Sequence, residues 1–220
     1  GVPGYAGSID VVYTYLRGFE NWLTDPYVRP DYYRKMKEKI TDLSIEITLR
    51  WLNEVGEYID VVDYDADMGT QEALLFSPEH YGKWVQPYQK QWVTEVKKAT
   101  KAKIQLHSCG SIYKLIPAII ETGFDILNPL QPLAKNMEPE RLKRDFGSKI
   151  VLCGGVDIQR LLPFGTKEEV EEEVKKMIRT MAPGGGWMIA PANNIPPDVP
   201  PENILAMYDT AYEYGRYPVK

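Results

Sequence analysis

The sequence predicts an α/β fold with a parallel sheet, and two observations carry the prediction. Short apolar runs alternate with segments of helical periodicity, and this pair of patterns occurs five times between residues 58 and 215. Such alternation is typical of βαβ units, which place successive strands side by side and parallel. Polar and glycine-rich segments follow the apolar runs, at the strand ends where enzymes of this class carry their sites.

The elements can be assigned in order along the chain. Residues 31–55 are predicted as a helix, because apolar residues recur at spacings of three and four: Met36, Ile40, Leu43, Ile47 and Trp51. Strands are predicted at 58–64, 103–109, 124–128, 150–153 and 187–190. Helices are predicted to follow them, with starts at Ser77-Pro78, Ser111, Glu138, Thr166 and Pro200. Residues 9–16 fit either a helix or a strand.

The composition of the chain limits the classes of protein to which it can belong. The chain has 220 residues, with 44% hydrophobic and 26% charged residues, which is ordinary for one globular domain. We expect a single domain over residues 1–220, in which residues 1–56 lead into β/α units at 57–217. A net charge of −5 gives no electrostatic footprint for nucleic acid, and no apolar run is long enough to span a membrane. The opening residues lack a signal-peptide pattern and there are two cysteines, so we expect a cytoplasmic location.

The segment from Lys103 to Ser111 carries the strongest chemical signal. It predicts a strand that delivers His107 and Cys109 to its end and then breaks at Gly110. Side chains two residues apart on a strand share a face, so the imidazole and the thiol should point the same way. A catalytic zinc takes three protein ligands and keeps one position open. We therefore expect a zinc site that includes these two side chains.

Seven segments with a fixed order and spacing carry a family resemblance: residues 106–111, 123–129, 142–147, 154–157, 165–170, 185–191 and 198–204. Together they resemble the uroporphyrinogen decarboxylase superfamily, which also contains the corrinoid-dependent methyltransferases. The resemblance implies a (β/α)8 barrel of the TIM type, of which this chain would hold about five of the eight β/α units. It also implies that the chain is a fragment or a truncated gene product.

The resemblance to the methyltransferases implies a chemistry. In them a His-x-Cys pair and a later cysteine bind zinc, the zinc lowers the pKa of a substrate thiol, and the thiolate takes a methyl group from a corrinoid on a partner protein. His107 and Cys109 match the pair, whereas Asn193 stands where the later cysteine should be. An amide oxygen is a poor zinc ligand beside thiolate. Asn193 is instead predicted, with Asp157, to contact a cofactor.

Three side chains are alternatives for the third zinc ligand. Cys153 ends a strand two strands further along, and alternate strands line a common layer in a barrel; otherwise it is a small buried hydrophobic residue. Asp65 and Asp67 could bind zinc or hold a proton, and we predict them as catalytic residues; otherwise they form a solvated acidic loop. Asp157 could also cap the next turn, and His80 is predicted to lie at the surface.

The leading prediction is a corrinoid-linked methyltransferase that activates a thiol at zinc. The first alternative is uroporphyrinogen decarboxylase, a cofactor-free lyase that acts on a tetrapyrrole. Against it, the arginines and aspartate of the decarboxylases' amino-terminal strands have no counterpart here, and Asn193 and Asn194 replace a histidine that many members carry. The second alternative is a non-catalytic partial barrel, whose unpaired sheet edges would lead the chain to self-associate.

Overall fold

The computed structural model describes residues 3–219, which form two compact units. The first unit comprises the residues up to Met68, together with Leu74–Ser108 and Lys114–Ile126. The second comprises Gly69–Ala73, Cys109–Tyr113 and the residues from Leu127 onward.

Three strands build the sheet of the first unit. They are β1 (Pro3–Gly7), β2 (Val61–Asp65) and β3 (Lys103–His107). β2 pairs in parallel with β1 and with β3, so the order in this unit follows the chain. The register of β2 and β3 places Asp65 opposite His107 at their carboxyl ends.

Helices cover this sheet and precede its second strand. Between β1 and β2 lie α1 (Ile9–Arg17), α2 (Phe19–Val28), α3 (Pro30–Val55) and a 3-10 turn at Gly56–Tyr58. Residues 9–16 are therefore helical. The helix after β2 begins as α4 (Pro78–His80), passes through a π-helical turn at Tyr81–Val85 and continues as α5 (Gln86–Ala99). Ser77 caps it as predicted, and α6 (Ile116–Thr122) follows β3.

The predicted helix is confirmed as α3, and its apolar stripe is only partly buried. Ile40 is buried, whereas the side chains of Leu43 and Ile47 are 43% and 64% exposed. Together with α1 and Trp51 these residues line an open apolar groove. The buried residues of α3 also include Lys37, which is fully inaccessible to solvent. Apolar spacing therefore identified the helix without specifying which of its side chains are buried.

The second unit repeats strand and helix on a smaller scale. Its elements are β4 (Ile126–Leu130), α7 (Pro139–Phe146), β5 (Val151–Gly154), α8 (Leu161–Phe164), α9 (Lys167–Met181), β6 (Trp187–Met188) and α10 (Pro201–Tyr214). β5 and β6 pair in parallel. The predicted capping box of α9 is present, and Val170, Val174 and Met207 belong to the core that joins α9 to α10.

The structure confirms the α/β class and adds one strand. Each of the five predicted strands has its counterpart in β2 to β6, whereas β1 was not predicted. Pro3, Gly4 and Gly7 are poor strand formers, so the segment has no strand pattern of its own. Across residues 3–219, none of the helices is long and apolar enough to cross a membrane.

Candidate metal site

The site begins with the way β2 and β3 alternate. Val62, Tyr64, Ile104 and Leu106 are completely buried, whereas the residues between them are polar and partly exposed: Asp63, Asp65, Gln105 and His107. A strand sends successive side chains to opposite faces, so one face of this strand pair is apolar and the other carries two carboxylates, an amide and an imidazole. Gln105 Nε2 donates to Asp63 Oδ1 at 3.2 Å on the polar face.

Backbone contacts hold the segments that follow the two strands. Ala66 N donates to the carbonyl of His107 at 2.9 Å, and Met68 N donates to Ser108 Oγ at 3.2 Å. Asp67 lies between these anchors. A carboxylate oxygen of Asp67 and a ring nitrogen of His107 lie within 4.8 Å of each other, and Cys109 follows His107 by two residues in the sequence. Asp67 is exposed, and the imidazole and the thiol are half-buried.

The electrostatics of this strand pair favour neutral carboxyl groups. Burial raises the pKa of Asp65, His107 lowers it in part, and the charges of Asp67 and Asp63 raise it further. Burial also raises the pKa of Asp63, against the hydrogen bond from Gln105 and the charge of His107. Carboxylates whose ionised form is disfavoured are common in sites that hold a proton or a cation.

The thiol of Cys109 has a defined partner within the second unit. Asn193 Nδ2 donates to Cys109 Sγ at 3.1 Å. The chain then turns at Gly110, where φ is +87° and a Cβ would come within 2.6 Å of the backbone of Gly69 and Thr70. Only glycine fits this conformation and this close approach. The turn that follows the cysteine is therefore fixed by backbone packing.

Cys153 and Asp157 have hydrogen-bond partners of their own in the second unit. Cys153 is buried and accepts a hydrogen bond from Asn128 Nδ2 at 3.4 Å. Among the residues that the structure describes, it does not belong to a group of three potential metal ligands. Asp157 accepts backbone hydrogen bonds from Gln159, Arg160 and Leu161 at 2.8 to 3.0 Å. It therefore caps the turn that leads into α8, and its cofactor contact stays a prediction.

Sequence reasoning missed two polar residues on the strand face. Asp63 and Gln105 lie on the same face as Asp65 and His107, and they are hydrogen-bonded to each other. The alternation of apolar and polar residues from Val61 to Asp65 was the available signal. His80 was misplaced as well, because its side chain is 5% exposed and bonded through Nδ1 to the Tyr27 hydroxyl.

The donor set suits a borderline-soft divalent metal. One thiolate, one imidazole and one carboxylate supply sulfur, nitrogen and oxygen, all of which zinc accepts. Magnesium and calcium prefer all-oxygen sites and are disfavoured by the sulfur. Three protein ligands would leave one position of a tetrahedral metal open, which is the arrangement of catalytic rather than structural zinc.

Comparisons with known proteins agree with this fold and place it in a family. A uroporphyrinogen decarboxylase (URO-D) family model matches residues 2–214. The uroporphyrinogen decarboxylase of Salinibacter ruber is 24% identical over 91% of this chain and 52% of its own length. The methylcobamide:CoM methyltransferase MtaA of Methanosarcina barkeri (strain Fusaro / DSM 804) is 24% identical over 80% of this chain and 49% of its own.

Similarity of structure supports the same fold. A methyltransferase from Methanosarcina mazei superposes with a TM-score of 0.78 at 18% identity, over 97% of this chain and 59% of that protein. The chain thus spans about half the length of the curated relatives it matches. The predicted barrel type is confirmed, and the barrel is incomplete, since residues 3–219 contain six strands where a closed barrel has eight. The chain belongs to the uroporphyrinogen decarboxylase family.

Proposed function

We propose that this chain carries the metal site of a corrinoid-linked methyltransferase that activates a thiol. One observation carries the proposal: a carboxylate oxygen of Asp67 lies within 4.8 Å of a ring nitrogen of His107, and Cys109 follows that histidine by two residues in the sequence. The three groups lie at and just beyond the carboxyl ends of β2 and β3, where β/α enzymes place their sites. The relative named as a methylcobamide:CoM methyltransferase supports the same reaction class.

His107, Cys109 and Asp67 would bind zinc, and the open position would take the sulfur of the substrate. Bound zinc stabilises a thiolate at neutral pH, because the metal charge favours loss of the proton. Asp67 replaces Cys153 as the proposed third ligand, since Cys153 lies outside this group. The catalytic carboxylate is then Asp65, which lies opposite His107 in the strand register.

The reaction balances as a transfer between two substrates. The substrate thiol would release its proton to solvent, its sulfur would form a bond to the methyl carbon, and the cobalt–carbon bond of the second substrate would break with both electrons kept by cobalt. The corrinoid would arrive on a partner protein, and the thiol would be a small molecule. Because the chain spans about half of its relatives, these partners are assigned to the whole protein that contains it.

Zinc content and methyl transfer test the proposal together. We expect the purified whole protein that contains this chain to hold about one zinc ion per molecule, and Cys109→Ser or His107→Ala to reduce it to below about a tenth. Methyl transfer is measured from methylcobalamin to coenzyme M, by the loss of the methylcobalamin spectrum. Both variants should lose this activity in parallel with the metal.

The second cysteine provides the matched control. Cys153→Ser should keep zinc and activity, because its sulfur lies outside the ligand group. Equal zinc loss in Cys153→Ser and Cys109→Ser would return Cys153 to the ligand set. A wild-type protein without zinc, and with activity unchanged in His107→Ala, would overturn the metal proposal.

Decarboxylation is the alternative that the comparisons favour. Several relatives named uroporphyrinogen decarboxylase match up to 97% of this chain at 22 to 24% identity. The paired polar residues Asp63 and Gln105 would then contact substrate rather than support a metal. Incubation with uroporphyrinogen distinguishes the two, because formation of coproporphyrinogen without zinc would establish the lyase.

The 220 residues on their own are proposed to self-associate and to lack activity. The apolar groove of α1 and α3 is lined by uncharged residues, and Tyr15 and Leu16 within it are 85% and 63% exposed. Exposed strand edges and apolar patches both favour association. Light scattering with urea unfolding tests this. A monodisperse monomer that unfolds cooperatively, with a midpoint raised by zinc, would contradict it.

A further inference from the structure

We infer that Asn193 is a positioning residue for the Cys109 sulfur, and that it limits the site to one thiolate ligand. The inference rests on the proposed zinc site and goes beyond it, because it gives a residue that does not bind the metal a role in determining which side chains do. Asn193 Nδ2 lies 3.1 Å from Cys109 Sγ, within hydrogen-bond range of sulfur. The two residues are 84 positions apart in the sequence, so only folding brings them together.

The orientation of the Asn193 amide is fixed from its other end. Its Oδ1 accepts a hydrogen bond from the backbone N–H of Asn194 at 2.7 Å. An oxygen that accepts from a backbone donor cannot be exchanged with the amide nitrogen, so Nδ2 must be the atom that faces the sulfur. The contact is therefore an N–H donor to sulfur rather than an oxygen beside it.

The loop that carries Asn193 is anchored immediately before it. Val156 N donates to the carbonyl of Ala190 at 3.1 Å, and Ala192 N donates to the carbonyl of Val156 at 2.8 Å. These bonds form a parallel bridge between Val156 and Pro191, and Ala192 is buried. The amide thus projects from a pinned backbone, which is what a positioning residue needs.

An N–H donor to the sulfur would affect a bound metal in two ways. It helps to hold the Cys109 sulfur in place, so it would influence the direction of the metal–sulfur bond. It would also withdraw charge from the sulfur, as hydrogen bonds to metal ligands generally tune the metal. With an amide rather than a second thiolate at this position, the metal would stay more Lewis-acidic.

Cobalt substitution reads this contact directly, because sulfur-to-cobalt charge-transfer absorption reports the number and the charge of the thiolate ligands. The variant is Asn193→Leu, which keeps the volume and removes the donor. We expect about tenfold weaker Co²⁺ binding and a charge-transfer band at lower energy. Asn194→Ala is the matched control, since it removes an exposed neighbouring amide and keeps the backbone N–H that orients Asn193.

Asn193→Cys tests the same placement by gain of a ligand. In reducing buffer it should add a second thiolate, with about twice the charge-transfer intensity and tighter zinc binding. Asn193→Ala repeats the loss test if the leucine variant does not fold. Co²⁺ affinity within twofold of wild type and an unmoved band in both loss variants, or unchanged intensity in Asn193→Cys, would overturn the inference. If the wild-type protein still binds metal in that case, the proposed function is retained and only the inference about Asn193 is wrong. If the wild-type protein binds neither Co²⁺ nor zinc, the proposed function and the inference are both wrong.

Discussion

Two sets of carboxylates in the first unit, one buried and one partly exposed, are held in opposite ways. In the lead-in cluster, defined as Asp10, Tyr13, Arg17, Asp25 and Lys37, each carboxylate has a cation beside it. Asp10 Oδ1 accepts from Lys37 Nζ at 2.6 Å, and Asp25 Oδ2 accepts from Arg17 Nε at 3.0 Å and from the Tyr13 hydroxyl at 2.8 Å. The strand-end carboxylates, Asp63 and Asp65, have no such cation among the ion pairs of the described residues.

The pKa shifts of Asp25 and of the strand-end carboxylates have opposite signs. Burial would raise the pKa of Asp25, but the hydrogen bonds from Arg17 and Tyr13 outweigh it and hold the pKa below its ordinary value. For Asp65 burial is the largest effect, and the neighbouring carboxylates add to it, so the pKa is raised. A carboxyl group whose pKa is lowered by folding contributes stability at neutral pH, whereas one whose pKa is raised costs stability there. This difference supports a structural role for the lead-in cluster and agrees with the proposed site at the strand ends.

Removing the cation of the lead-in cluster should give the largest effect. Lys37 and Asp10 are 0% and 3% exposed, so Lys37→Ala would leave a buried carboxylate without its partner and lower the free energy of unfolding by about 3–5 kcal/mol. Urea denaturation followed by tryptophan fluorescence measures it. Arg50→Ala is the control, because the Arg50–Glu46 pair is exposed and should contribute less than about 0.5 kcal/mol.

Lys37→Met separates charge from packing, since it keeps most of the volume of the side chain. It too should destabilise more than Arg50→Ala. Equal costs for the Lys37 and Arg50 variants would show that the buried pair is not what holds α3 in place.

Neutralising Asp25 should give the second largest effect. Asp25→Asn removes the charge that Arg17 and Tyr13 both bind, and hydrogen bonds to charged groups contribute about 1.5–3 kcal/mol. We expect the free energy of unfolding at pH 7 to fall by about that amount. In a Tyr13→Phe background the loss should be smaller, because one of the two bonds is already gone. Additive losses would contradict the shared hydrogen-bond network.

The same substitution at the strand end should act with the opposite sign. Asp65→Asn removes a charge that burial disfavours, so we expect stability to rise by about 0.5–1 kcal/mol while activity falls. Asp42→Asn serves as control, since Asp42 is an exposed position on α3. A destabilised Asp65→Asn protein would show that this carboxylate is structural, like Asp25.

The sequence predicted those features that depend on residues close together in the chain, and it missed those that depend on residues far apart. The helix over 31–55, the capping box at Thr166 and the five strands depend on local spacing, and the structure confirms them. β1 escaped because it is stabilised by pairing with β2, about 58 residues further on, rather than by its own composition. The local sequence specifies whether an element is a helix or a strand better than it specifies which element it pairs with.

The site was predictable to the same extent. His107 and Cys109 share a strand end, so their spacing of two was enough to join them. The contact of Asn193 with Cys109 and the pair of Lys37 with Asp10 join residues 84 and 27 positions apart, and no local pattern specifies them. His80 was misplaced because burial of a short polar helix depends on what packs against it, here Phe76 and Tyr27.

The smallest predicted effect concerns pH and returns to this histidine. Burial lowers the pKa of His80, with Asp10 opposing and Lys37 adding to the effect. A histidine whose folded pKa is depressed binds its proton more readily when unfolded, so stability is fully present above the unfolded value, about 6.5, and falls as pH drops below it. The loss stops once the pH is below the folded pKa. Asp63 and Asp65, whose folded pKa values are raised, oppose this trend, since their protonation at lower pH stabilises the folded state.

The experiment that isolates His80 compares the free energy of unfolding of wild type with that of His80→Gln, by urea unfolding at pH 7.5, 6.5 and 5.5 with chelator present. The variant should lose less stability than wild type over this range, by less than about 1 kcal/mol. An equal loss of stability in wild type and His80→Gln would show that this histidine does not cause the pH dependence.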